Sequence, residues 1–135
     1  MSTINKICLF AGVHHYPSNW KICDGNNGMP KLDPIKLGND RYSPSIPYLC
    51  CISDDNYAEE PLLTQILRFT GDFAPEGWAF CDGAILDIRQ YTALYSLLGT
   101  RFSGDGRNTF GLPKIADISN PSIRYIICLE GQFPR

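Results

Sequence analysis

Two aspartates, two adjacent histidines, six cysteines and a Gly-Asp-Gly-Arg loop are the groups in this sequence that could do chemistry. Asp24 and Asp82 each stand between a cysteine and a glycine, in Cys23-Asp24-Gly25 and Cys81-Asp82-Gly83. Paired carboxylates can do acid–base work or hold a cation, but no convincing nucleophile–base pair accompanies either one. An Asp before Gly also caps its own turn by accepting backbone N–H groups, and that structural role is the preferred reading. His14 and His15 are neighbours in the chain. In a strand, adjacent side chains point to opposite faces, so the two cannot readily share one metal ion. A surface loop is expected there, with a weak metal site at a subunit interface as the alternative. Gly104-Asp105-Gly106-Arg107 has the look of a phosphate or calcium loop. It lacks the strand-to-helix context of the first and the ligand count of the second. A structural turn is expected, with Arg107 pairing a carboxylate or backbone carbonyls.

The cysteines contain no C-x-x-C pair, which argues against zinc. Their even number leaves two readings open: symmetric disulfides 23–51 and 81–128, or buried thiols acting as small apolar residues. Buried thiols are favoured. Trp20 and Trp78 each sit between a Pro-containing loop and a Cys-Asp-Gly turn. Sugar-stacking platforms are one reading, and core anchors, which fit that setting better, are the other. No catalytic residue, metal or cofactor is expected.

The chain has 135 residues, net charge −2, 44% apolar and 19% charged residues. That supports a packed core and excludes a disordered chain. Without a Lys/Arg cluster, a nucleic-acid surface is not expected. No stretch approaches the ~20 apolar residues of a membrane span. The apolar run Ile7 to Val13 is too marginal for a secretory signal, and reads as a strand. Ten Pro and 12 Gly imply many turns and short strands.

The elements that must carry these residues repeat. Ile7-Cys8-Leu9-Phe10-Ala11-Gly12 aligns with Ile66-Leu67-Arg68-Phe69-Thr70-Gly71, 59 positions on. Pro17, Trp20, Cys23, Asp24 and Gly25 align with Pro75, Trp78, Cys81, Asp82 and Gly83, 58 positions on. "GMPKL" (28–32) echoes "GLPKI" (111–115), and "IPYLCCI" (46–52) echoes "IRYIICL" (123–129). Four blocks in one order indicate a tandem: a shortened repeat over 4–53 and a fuller one over 64–131, packed as one body. "SDDNYAEEP" (53–61) is the linker. In each repeat an alternating run forms the first strand, a short strand closes on Asp-Gly, and a last strand pairs with the first. Only the second repeat has an insert. There Asp87 with Gln90 reads as a capping box, Ile88, Tyr91, Leu94, Tyr95 and Leu98 recur at helical spacing, and Gly99 is placed as the stop. One amphipathic helix is expected at about 88–98.

Residues 66–115 resemble the phage tail collar domain. The resemblance is carried by Phe69-x-Gly71, Pro75-x-Gly77-Trp78, Cys81-Asp82-Gly83, Leu97-Leu98-Gly99, Gly104-Asp105-Gly106-Arg107 and Thr109-Phe110-Gly111-Leu112-Pro113. It implies a structural, assembly or attachment role and no reaction. Two departures stand out: Lys114-Ile115-Ala116-Asp117 follows the Leu-Pro, and no fibre shaft or receptor-binding tip is present.

The expectation is therefore a mainly β (α+β) protein of two small pseudo-repeated units with one helix. Trp20, Trp78, Cys23, Cys81, Asp24, Asp82 and Arg107 would be its structural anchors. Its role would be that of a non-enzymatic subunit of a phage-tail-like or extracellular fibrous assembly; a small carbohydrate- or receptor-binding adhesin is the alternative. It would form a homo-oligomer, a trimer or polymer, and dock with other tail or fibre proteins. Ile4, Ile7, Leu9 and Phe133 are the interface candidates, on the N-terminal strand and the C-terminal segment. The expected location is extracellular or in a virion or tail-like particle, reached without a secretory signal after a cytoplasmic stage.

Overall fold

Alternation of apolar residues, broken every few positions by Gly, Pro or Asp, yields short strands, and the computed structural model has, among the residues it describes, ten of them with one helix. It describes residues 6–12, 20–26, 28–37, 44–51, 61–115 and 123–133. Ile4, His14, His15 and all of the linker except Pro61 lie outside the described residues. Five strands precede the linker: β1 (Ile7–Phe10), β2 (Trp20–Ile22), β3 (Ile35–Lys36), β4 (Ser45–Ile46) and β5 (Tyr48–Cys51). After it come β6 (Gln65–Phe69), β7 (Trp78–Phe80), β8 (Ile85–Asp87), α1 (Thr92–Leu98), β9 (Thr109–Gly111) and β10 (Arg124–Cys128). The chain is mainly β, with antiparallel pairing throughout the named strands.

Six strands form one sheet in the order β2-β5-β1-β6-β10-β7. Two two-stranded sheets, β3-β4 and β8-β9, accompany it. Within each half the first strand pairs with the last, and the last pairs with the strand that leads into Cys-Asp-Gly. The registers correspond residue by residue. Ile7 faces Cys50 and Leu9 faces Tyr48, while Ile66 faces Ile127 and Arg68 faces Tyr125. Trp20 faces Cys51, and Trp78 faces Cys128. The bridge Asp24 to Lys31 has its counterpart in Asp82 to Lys114. The halves join through β1 and β6, antiparallel, with Leu9 opposite Ile66 and Phe10 opposite Gln65. Carried one step further, this register puts Cys8 opposite Leu67, which are aligned positions of the two halves. The seam therefore has an approximate twofold axis perpendicular to the sheet.

One face of the sheet carries the larger core. Leu9, Ile66 and Ile127 pack there against Leu94, Leu97 and Leu98 of α1, with Phe110, Leu112 and Ile115 from the insert and its return. Burying a side chain such as Leu94 or Leu98 contributes about 1.5–3 kcal/mol. Arg101, just past α1, fixes the insert to the first half by donating to the carbonyls of Ala11 (3.2 Å) and Ser45 (3.0 Å). The opposite face holds a smaller cluster of Cys8, Phe10, Trp20, Leu49, Cys51 and Leu62. Phe10 and Trp20 meet edge to face at 5.1 Å.

The helix is shorter than its spacing predicts, starting at Thr92 rather than 88. Asp87 does not cap it. Asp87 is the last residue of β8, its carboxylate accepts the N–H of Arg89 at 2.8 Å, and Ile88 still bonds Asn108 beyond the β8–β9 pair. The capping box Asp87–Gln90 is thus a turn between strand and helix, and no side chain caps α1 at Tyr91. Gly99 ends it with φ of 58°, its N–H bonding to Tyr95.

A candidate assembly surface

The two Cys-Asp-Gly turns are built alike. Asp24 accepts the N–H of Asn26 at 2.9 Å, and Asp82 accepts that of Ala84 at 3.0 Å. The amides of Cys23 and Cys81 bond Tyr48 and Tyr125, on the last strand of their own half. Gly25 and Gly83 take φ of 85° and 83°, a left-handed conformation that favours glycine. Their N–H groups bond Pro30 and Pro113, and Lys31 and Lys114 pack over them. Asp24 and Asp82 stay exposed with the two turns apart, which gives no acid–base pair.

Cys23 and Cys81 are buried behind these turns, and none of the six cysteines forms a disulfide. Burial, with a smaller contribution from Asp82, pushes the Cys81 thiol up to about 12. Burial raises Cys128 to about 11, against a hydrogen bond from the Glu130 backbone that lowers it. Cys23 is raised too, by burial and then by Cys50 and Asp24. Such thiols are poor nucleophiles and poor metal ligands at neutral pH. Among the described residues no group of three or more His, Cys, Asp or Glu could hold a metal ion.

The Gly-Asp-Gly-Arg loop is organised by Asp105, which the sequence reading passed over in favour of Arg107. The Asp105 carboxylate accepts the N–H groups of Arg107, Asn108 and Thr109 at 2.8, 2.9 and 3.0 Å. These bonds hold it down at about 2. With its donors turned inward on one carboxylate, the loop is closed to phosphate. Arg107 itself is exposed, and what it supplies to the loop is its backbone N–H. An Asp followed by Gly-Arg-Asn-Thr is the signal that could have found Asp105.

The two tryptophans differ. Trp20 is 4% exposed, while Trp78 is only partly buried, so the two are not sealed alike. The reason is the face it stands on. In the second half Leu67, Phe69 and Trp78 remain partly open on the face where their first-half counterparts Cys8, Phe10 and Trp20 are buried, and Phe80 and Arg124 stand partly open beside them. Phe69 and Phe80 lie 6.3 Å apart. Arg124 stacks on Phe80 at 3.9 Å and donates to the carbonyls of Gly71 and Asp72. Nearby in the chain, Phe73 is 87% exposed. Nothing in the sequence pattern singles out Arg124 for this contact.

The interface candidates also divide. Leu9 is buried in the core and cannot meet a neighbour, whereas Ile7 and Phe133 are each 43% exposed. β1 has β5 on one side and β6 on the other, so it offers no docking edge. The outermost strands of the sheet are β2 and β7.

Residues 64–117 match the family model of the phage tail collar domain. That domain is present in the second half of the chain and is a structural tail domain, which points to a structural role in a phage tail. No curated protein and no solved structure matches the chain. No helix among the described residues is long and apolar enough to cross a membrane.

Proposed function

We propose that this chain is a non-enzymatic structural subunit of a phage-tail-like or extracellular fibrous assembly, and that it works by self-association and docking to other tail or fibre proteins. The collar match over 64–117 is the observation that carries the reading. The first half is then a shortened copy of the second, fused so that its β1 occupies the β6 edge. The equal registers of the two half-sheets support that origin. With the seam occupied, the surfaces left for neighbours are the outer strands and the open aromatic face of the second half. Buried thiols and self-capped aspartates favour a structural over a catalytic role.

Sedimentation of the full-length protein tests this. Particles well above the 15.1 kDa monomer are expected, with a contact of at least ~1,000 Å². A monomer at high concentration overturns self-association. The adhesin reading keeps one observation in its favour, the half-open Trp78 beside Phe80 and Arg124. Glycan binding lost in Trp78→Ala, with the protein monomeric, would put it ahead.

A further inference from the structure

The helix insert exists in one half only, so it covers one side of the seam and leaves the other open. On the covered side lie Leu9 and Ile66, at 3% and 2% exposure. Their partners under the approximate twofold are Arg68 and Ile7, both exposed. Beside them is a cleft of about 270 Å³, whose lining includes Ile7, Leu9, Ile66, Arg68, Tyr48 and Tyr125. We propose that this cleft binds a small oxyanion, the carboxylate or phosphate group of a small molecule, with Arg68 as its cation and the hydroxyls of Tyr48 and Tyr125 as donors.

Among the described residues no carboxylate forms an ion pair with Arg68, so its fork of donors is available for bidentate contact. Tyr48 and Tyr125 are aligned positions of the two halves, brought together at the seam. Both line the cleft with Arg68, and burial first, then Tyr48, raises the Tyr125 phenol while Arg68 draws it back down. The shared lining and the charge place the three groups in one cluster, with the Tyr125 phenol raised and so protonated at neutral pH. Apolar walls from Ile7, Leu9 and Ile66 lower the local dielectric and strengthen such bonds. A second cleft shares Tyr125 and adds Lys114, Arg124 and Asp82. Arg124 is committed to Phe80 and two carbonyls, and Asp82 to its own turn. Asp82 keeps its negative charge there, so Lys114 and Arg124 together leave this second cleft one charge positive on a chain whose net charge is −2. The volume lies at the small end of ligand pockets and suits a ligand of few heavy atoms.

Titration of the full-length protein with inorganic phosphate and with citrate, followed by amide NMR shifts, tests the assignment. Saturable shifts centred on Arg68, Tyr48 and Tyr125 are expected for at least one of the two anions. Arg68→Leu installs the residue found at the aligned position 9 and should weaken binding about tenfold or more. Tyr125→Phe keeps the ring and the fold, and should weaken it less. Arg89→Ala, at an exposed site far along the chain, should leave affinity unchanged. Shifts that rise linearly and spread over all exposed Lys and Arg residues overturn the proposal. So does unchanged affinity in Arg68→Leu or, should that variant not fold, in Tyr125→Phe.

Discussion

Trp20 and Trp78 hold the same position in the same register, yet one is sealed and the other only partly covered. The same contrast runs through Phe10 and Phe69, Leu9 and Arg68, Ile66 and Ile7. Each pair shares its backbone hydrogen bonding and differs in what lies over the side chain. Strand pairing and turn geometry are local properties, set by alternation and by the Asp-Gly positions, and they come out equal in both halves. Burial is a tertiary property, and it depends on the single insert and on Leu62, which joins the first-half cluster. Equal backbones with unequal covers leave two places open: the Leu67–Phe69–Trp78 face of the second half and the Ile7–Arg68 side of the seam.

The largest test of that contrast is at the tryptophans. Trp20→Ala should cost about 3–5 kcal/mol, as for emptying a large aromatic site in a packed core. Trp78→Ala should cost less, about 2–3 kcal/mol, because its ring is only partly covered. Urea denaturation of both variants checks this, and equal losses would break the comparison.

The thiols sharpen it at alkaline pH. Cys81 is raised in the folded state, so its contribution is fully present below the ordinary value near 9. It is lost as pH rises toward about 12, because the unfolded chain gives up that proton first. Stability should fall by up to ~1.4 kcal/mol per pH unit in that window. Cys81→Ala should remove this part of the slope. Cys23→Ala acts in the same direction. Thermal melts from pH 8 to 11 measure both, and an unchanged slope in Cys81→Ala would show that its thiol ionises freely in the fold.

Much of this was legible in the sequence. Alternation in Ile66 to Phe69 and in Arg124 to Cys128, with the repeated Trp-x-x-Cys-Asp-Gly, carries the strands, their pairing and the two turns. The helix start was not legible, because Asp87 serves a strand end and an Asx turn that share its sequence pattern with a helix cap. Nor was the exposure of Trp78, since a repeated motif reports local structure and says nothing of what covers it. Leu9 and Arg68 carried the hint: a charge at an aligned apolar position marks the side of the seam that stays open. The central place of β1 was beyond reach as well, because alternation shows a strand and not how many neighbours it has.

A smaller equality should survive at the glycines. Gly25→Ala and Gly83→Ala each place a Cβ at φ near 85°, with a lysine Cβ 3.3 or 3.4 Å away. Each should cost about 1–2 kcal/mol, and the two should agree. Unequal losses in urea would mean that the turns are supported differently.

The smallest effect probes the turns' own hydrogen bonds. Asp24→Ala and Asp82→Ala each remove one exposed carboxylate that accepts a backbone N–H two residues on. Water replaces that partner readily, so each should cost only about 0.5–1 kcal/mol. Asn keeps an oxygen acceptor at the same place, and Asp24→Asn and Asp82→Asn should recover most of the loss. The Asn variants also remove a negative charge beside Cys23 and Cys81, and so ease the ionisation of both thiols slightly. Alkylation rates at pH 9 should then rise a little in both, while melting temperatures barely move. A large loss at Asp82 alone, unrescued by Asn, would mean that its carboxylate does something in the second half that Asp24 does not do in the first. The likeness of the two turns would then end at their backbones.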